Sequence, residues 1–247
     1  MTLQPFRADF HVHTVLSPCG DLTQSPRKII EAARNRGLSI VGIADHNATE
    51  NARPAMRLGE KAGLAVFPGM EVTSAEEVHV LALFGDLADA GEMQGKVYQR
   101  LQEGENDPER FGYQVIVDEN ENVLGMNKRL LLGATDMDVE TVVDYVHQYG
   151  GLAVAAHVDR PAFSCTSQLG FVPPGIFDAI ELSPFGDAAD YEALGYPIVR
   201  CSDAHRPEEV GKGYTIFELA EPTFGEVKMA LRGEEGRRIA GHSGTPS

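Results

Sequence analysis

Residues 38–46 read LSIVGIADH, a nearly unbroken apolar run that ends abruptly on an aspartate and a histidine. A run this short and this apolar fits a strand buried on both faces, as in a parallel sheet, better than an amphipathic helix. The same shape recurs on either side: residues 6–14, 64–72 (LAVFPGMEV), 78–84 (VHVLALF), 152–158 (LAVAAHV), 178–183 (DAIELS) and 197–205 (PIVRCSDAH). Helix-like stretches separate several of these runs. Ser25 and Pro26 cap and open one that runs to about Arg36 and stops at Gly37, and residues 52–62, 139–149 and 188–194 supply others. Strand and helix in alternation predict parallel βα units and a βα barrel. A doubly wound open sheet is the structural alternative, and the chain has no GxGxxG phosphate loop to support it.

Residues 87–135 break the rhythm with a helical stretch and then QVIVDENENVLG, a strand–turn–strand pattern. They are expected to form an insertion over one face. Residues 1–241 then make a single domain, and 242–247 a flexible tail. With 43% hydrophobic and 23% charged residues in 247, the chain is an ordinary globular one, and no apolar run reaches the roughly 20 residues a membrane helix needs. No membrane association is expected. The start of the chain lacks a basic segment followed by an apolar one, which predicts a cytoplasmic protein. Three cysteines without a CxxC pair predict reduced thiols. A net charge of -16 opposes long duplex nucleic acid and anionic membranes as partners, yet leaves room for a small phosphorylated substrate whose charge bound cations would offset.

The placement of His, Asp and Glu carries the chemistry. His11, His13, Asp45, His46, Glu71, His79, His157, Asp203 and His205 all fall at or just beyond the end of an expected strand, and in βα barrels that end is the active-site face. Two residues apart on a strand, His11 and His13 point to one side and can hold one ion; Asp203 and His205 repeat the spacing. Glu71 can bridge two cations, and His79 with His157 would complete a second ion. A lone strand-end histidine is more often a hydrogen-bonded structural residue, so the argument rests on the set of six; His147 and His242 are assigned to the structural role. Asp45 could be a ligand, but beside His46 it better suits a carboxylate that orients an imidazole or a water.

In order, HVHTVLSPCGD, GIADHN, GMEVTSAEEVH, AAHVDRP and CSDAH resemble the motifs of the polymerase and histidinol phosphatase (PHP) superfamily. The resemblance implies a distorted TIM-like (βα)7 barrel in the α/β class, with two to three divalent ions of zinc, manganese or iron. Carried over by position, His11, His13, Glu71 and Asp203 would hold one ion, Glu71, His79 and His157 a second, and His46 with His205 a third. Either Cys19 or Asp21 would complete the third, the thiolate favouring zinc. Arg160, three residues past His157, resembles a phosphate clamp, with Arg206 a weaker second candidate. The function implied is metal-dependent phosphoester hydrolysis by a metal-bound hydroxide on a phosphomonoester, nucleotide or short oligonucleotide, with Asp45, Arg160 and His205 as catalytic candidates and a protonated histidine or metal-bound water assisting the leaving alkoxide. With no polymerase segment in the sequence, a free-standing enzyme is expected. Two other readings stand beside it: a decayed regulatory or structural module, which the near-complete ligand set opposes, and an amidohydrolase-like C–N hydrolase, whose usual bridging ligand is a carboxylated lysine where this chain has Glu71.

Overall fold

A computed structural model describes residues 2–243. The chain runs β1 (Gln4–Val12), α1 (Pro26–Asn35), β2 (Ile40–His46), α2 (Ala52–Ala62), β3 (Ala65–Thr73), β4 (His79–Leu83) and α3 (Leu87–Arg100). It continues through α4 (Pro108–Phe111), β5 (Val115–Val117), β6 (Val123–Met126), α5 (Val139–Gln148), β7 (Leu152–Ala155) and α6 (Cys165–Gln168). The last part is β8 (Ala179–Leu182), β9 (Ile198–Arg200), β10 (Thr215–Leu219), α7 (Phe224–Leu231) and β11 (Arg238–His242). No helix among the described residues is long and apolar enough to cross a membrane.

Nine strands form one sheet in the order β11-β10-β1-β2-β3-β4-β7-β8-β9. The arcs β1-β2-β3 and β7-β8-β9 are parallel, and β4 joins them by pairing antiparallel with both β3 and β7. Only residues 74–78 separate β3 from β4, too few for a crossover, so the chain turns back on itself there. Past β9 the chain returns to β1: Val12 bridges Ala204, His13 N–H donates to the Ala204 carbonyl at 3.0 Å, and Ala204 N–H donates to the His11 carbonyl at 3.2 Å. The result is a nearly closed, distorted barrel of the TIM-like kind.

Side-chain chemistry sets the layers. Val12, Val41, Ile43 and Val66 pack with Ile29 of α1 and Ala55 of α2, between sheet and helices. Phe10, Ile40, Ala44, Phe67, Leu81 and Leu83 form a different cluster, with Phe10 against Phe67 and Phe217 at 6.1 and 5.5 Å between ring centroids. Phe10 and Val12 therefore join different layers although they are two residues apart. The register of β1 on β2 shifts between Asp9 and Val12, and such an irregularity re-aims side chains, here His11 and His13.

Residues 188–194 form two short 3-10 turns, Ala188–Asp190 and Glu192–Leu194, in place of the expected helix. The stretch is broken at Tyr191 and closed by Gly195 in the left-handed region (φ 74°), a helix stop. Strands β10 and β11 and helix α7 went unpredicted, although TIFEL alternates buried and half-buried residues as a strand should. Because β11 pairs with β10, His242 belongs to a strand rather than to a tail, and its Nε2 donates to the Ile198 carbonyl at 2.8 Å. The remainder of the tail expectation, residues 244–247, lies outside the described residues. Residues 87–135 contribute α3, α4 and the two-stranded β5-β6 sheet, and Asn47 Nδ2 donates to the carbonyls of Leu131 and Gly133 near the mouth.

At Gly42 the backbones of β1 and β2 approach so closely that a Cβ would lie 2.3 Å from the Phe10 carbonyl oxygen. Gly42→Ala should lower the unfolding free energy by about 1–3 kcal/mol or more, as overpacking against backbone does, read as a lower urea midpoint at unchanged slope.

Candidate metal centre

Local structure explains each contribution to the barrel mouth. β1 carries His11 and ends just before His13; β2 ends on Asp45 and His46; β3 supplies Glu71; β4 opens on His79; the turn after β7 holds His157; and the chain past β9 brings Asp203 and His205. Six imidazoles end up side by side, with ring centroids 4.3 Å apart for His13 and His205, 4.7 Å for His13 and His46, and 5.4 Å for His79 and His157.

Glu71 lies at the middle, with only 1% of its side chain exposed. Its Oε1 is 2.7 Å from His79 Nδ1, 3.0 Å from His157 Nε2 and 3.4 Å from His11 Nε2. Its Oε2 is 3.0 Å from His46 Nδ1 and 3.5 Å from His13 Nε2. Asp203 Oδ1 stands 2.9 Å from His13 Nε2 and 3.4 Å from His11 Nε2. Burial opposes ionisation of both carboxylates, but the imidazoles outweigh it and hold Glu71 and Asp203 well below the usual carboxylate range.

Hydrogen bonds behind the rings decide which nitrogen faces inward. Ser17 gives its one hydroxyl proton to Asp45 Oδ1 at 2.7 Å, so its oxygen accepts from His13 Nδ1 at 2.9 Å. His11 Nδ1 donates to Glu181 Oε2 at 2.9 Å, and His205 Nδ1 to the Asp203 carbonyl at 2.8 Å. Each arrangement engages Nδ1 and turns Nε2 inward, the second-layer pattern of a metal-ligating histidine. Burial and the neighbouring His205 push His13 down to about 3, so it is neutral at ordinary pH. Its Nε2 stands 2.9 Å from the Asp203 carboxylate, a close approach of nitrogen and carboxylate that a shared cation would relieve. His11 Nε2, His46 Nδ1 and His79 Nδ1 are likewise buried beside Glu71 yet make no hydrogen bond.

Three groups of donors have the spacing to hold an ion, one atom from each residue lying within 4.8 Å of the others: His11, His13 and Asp203; His46, Glu71 and His79; and His13, Cys19, His46 and His205. His157 stands outside the second group but within reach of Glu71. Of the two candidates for the third ion, the structure brings in Cys19 and turns Asp21 away. Asp21 Oδ1 accepts from Thr23 N and Oγ1 at 2.8 and 2.7 Å, closing a turn at the surface. Shielding from water raises the Cys19 thiol pKa, but His46 and His205 outweigh it and bring it to about 7, so a thiolate is accessible.

Arg160 lines the cavity above this cluster, about 520 Å³ in volume, and its Nη1 lies 2.5 Å from Asp203 Oδ2. Arg206 is exposed and does not line the cavity. Asp45 does not line it either; Thr14 N–H and Oγ1 occupy its oxygens at 2.7 and 2.8 Å alongside Ser17, which makes it a buttress for His13. Glu181 and Asp9 escaped the sequence reading. A glutamate between isoleucine and leucine in DAIELS was the available signal for the first, since a carboxylate in a buried strand needs a partner. Asp9 accepts from Ser202 N, Ser202 Oγ and Gly211 N at 3.0, 2.6 and 2.8 Å, tying β1 to the segment that carries Asp203.

Comparison with known proteins agrees with this geometry. The PHP domain family model matches residues 9–166, and the PHP-associated model matches residues 190–235. YqxK, an uncharacterised protein of Bacillus subtilis, is 23% identical over 273 residues, covering 96% of this chain and 64% of its own length. A phosphoribosyl 1,2-cyclic phosphate 1,2-diphosphodiesterase of Eggerthella lenta is 31% identical over 80 residues, 30% of this chain and 29% of the relative. The lesion-specific endonuclease Q of Pyrococcus furiosus superposes with a TM-score of 0.73 at 21% identity, over 97% of this chain and 58% of its own. This chain thus spans less than two thirds of each of these three proteins. Since the family model covers well over half of the sequence and its matched span carries His11 through His157, the chain belongs to the PHP domain family.

Proposed function

We propose that this chain hydrolyses phosphate esters with the help of two to three divalent ions, acting on a small substrate: a phosphomonoester, a nucleotide or a short oligonucleotide. The observation that carries the reading is geometric: nitrogens of five imidazoles converge within 3.5 Å of the buried Glu71 carboxylate, and the inward nitrogens of His11, His46 and His79 make no hydrogen bond. Nitrogen and carboxylate donors with one thiol suit zinc, manganese and iron. His11, His13 and Asp203 would hold one ion, Glu71 would bridge to a second reached by His46, His79 and His157, and Cys19, His46 and His205 would serve a third.

Divalent ions in such a site lower the pKa of water toward neutrality and offset charge on the phosphoryl oxygens. The protein's own groups do the rest. Arg160 presents a planar fork to the phosphate from the cavity wall. Asp45 acts through Ser17 to keep the His13 lone pair aimed inward, and Glu181 does the same for His11. His205, raised to about 9 because Cys19 and Asp203 outweigh the effect of burial, can hold a proton for the departing oxygen when no third ion claims it. At about 520 Å³ the cavity matches the volume of a small-molecule pocket and favours a compact substrate, as does the net charge of -16. The Eggerthella relative is itself named for a cyclic phosphodiester. A nucleic-acid duplex, such as the 27-mer duplex substrate with an abasic lesion in a second endonuclease Q structure similar to this chain, is the competing reading, and the net charge of -16 argues against it.

Protein purified without chelator should carry two to three equivalents of transition metal by elemental analysis, and Glu71→Ala should carry less than half an equivalent; equal content in both would sink the bridged cluster. Glu181→Ala should bind metal about 10- to 100-fold more weakly while its circular dichroism stays unchanged, because only the orientation of His11 is lost. Arg160→Ala should reduce kcat/KM on a phosphomonoester by about 100-fold with metal content retained, as removal of a transition-state donor does.

A further inference from the structure

The segment after His157 presents an aromatic ring that the cluster of donors does not require. Phe163 stacks on His79 with centroids 4.7 Å apart and planes only 12° from parallel. One face of the phenyl ring is thereby covered; the side chain is still 43% exposed and lines the cavity together with Arg160 and Leu132.

Backbone geometry marks the same residue. Among the described residues seven that are not glycine have positive φ, and four of them gather at the mouth: Asn47, His157, Phe163 and Asp203. Phe163 has φ 57°, a region that glycine or asparagine occupies with less strain than a bulky aromatic. The contact that holds the turn in place does not need the ring, since His79 N–H donates to the Phe163 carbonyl at 2.8 Å, a bond any residue would supply. The turn is also fastened by Ser164 Oγ donating to the Arg160 carbonyl at 2.8 Å. A strained, well-anchored aromatic beside a phosphate-binding arginine calls for a role of its own.

We infer that Phe163 is a stacking platform, and that the preferred substrate of the proposed phosphoester hydrolase carries a planar aromatic group, such as a nucleobase, on the free face of this ring. This rests on the phosphoester reading and narrows it. With the phosphate at the ions and Arg160, a base one sugar away would lie over the ring, and stacking accepts any base because each has a π-face.

The test compares adenosine 5′-monophosphate with ribose 5-phosphate, which share phosphate and sugar and differ only in the base. Metal-loaded wild type, Phe163→Ala and Phe163→Trp are each assayed for hydrolysis, and for binding by calorimetry where neither compound is turned over. The platform predicts a preference for the nucleotide of about 5- to 150-fold in wild type, close to one in Phe163→Ala and restored in Phe163→Trp. No preference in wild type, or one that survives in Phe163→Ala, overturns the platform and leaves the hydrolase standing. Losses in Phe163→Ala that are equal for both compounds show that the ring only supports His79, and also overturn it. Neither hydrolysis nor binding of either compound at full metal content sinks the hydrolase reading and the platform together.

Discussion

A carboxylate with almost no contact with water needs positive charge close by, and Glu71 is the group on which this architecture turns. Removing an ion from water costs several kcal/mol even after relaxation, and the cost is recovered only by compensating partners in good geometry. Nitrogens of five imidazoles lie within 3.5 Å of its two oxygens, and their rings arrive from β1, β2, β4 and the turn after β7. Histidine can meet the need by binding a proton or by sharing a cation. Burial disfavours the first for His13 and His79, whereas at His11 the carboxylates of Glu181, Asp203 and Glu71, and at His46 Cys19 and Glu71, outweigh burial and favour a proton in the absence of a cation. A shared cation also explains the carboxylates behind the rings, because Glu181 and Asp45 fix protons on the outward nitrogens and leave the inward ones free.

The same requirement explains why the barrel closes as it does. Asp203 is 190 residues from His13 in sequence but 2.9 Å from it in space. That contact depends on three bonds from Ser202 and Gly211 to the buried Asp9 and on the bridge from Val12 to Ala204. Burial raises Asp9 to about 6, a destabilising effect that the donors partly offset. It is therefore the seam rather than any helix that completes the donor set, and the shift of register in β1 just before it sets the aim of His11 and His13.

Strain collects where the chemistry would occur. His157 at φ 28° and Asp203 at φ 47° adopt backbone conformations that cost energy for side chains of their kind; the His157 carbonyl accepts from Arg160 N–H at 2.9 Å and the Asp203 carbonyl from His205 Nδ1 at 2.8 Å. Rigid turns at strand ends can hold such conformations, and they set donor atoms at spacings that relaxed geometry would miss. Membership of the PHP domain family accords with this plan, in which strands carry His11, His46, Glu71 and His79 while the segments past strand ends carry His13, Cys19, His157, Asp203 and His205.

Much of this was legible in the residues themselves. Apolar runs of strand length ending in His, Asp or Glu are local patterns, and the periodicity of β1, β2, β3 and α2 emerged within a residue or two of expectation. The donor types were equally plain, because few other roles gather six histidines at strand ends. Other features depend on contacts between distant segments. Cys19 and Asp21 are two residues apart and chemically plausible alike; only the turn that Asp21 closes with Thr23 sends its carboxylate outward and leaves the thiol facing His46 and His205. Arg160 is the stronger candidate in sequence and Arg206 the weaker, and tertiary structure places the first on the cavity wall and the second at the surface. Glu181 and Asp9 had no local signature beyond a charge in an apolar strand, since their partners lie 170 and 193 residues away. Sequence determined the donor chemistry and the strands that carry it, both written in local spacing; tertiary structure decided the antiparallel course of β4, the closing seam and which donors converge while others brace them, because those follow from the direction of side chains across a nearly closed barrel.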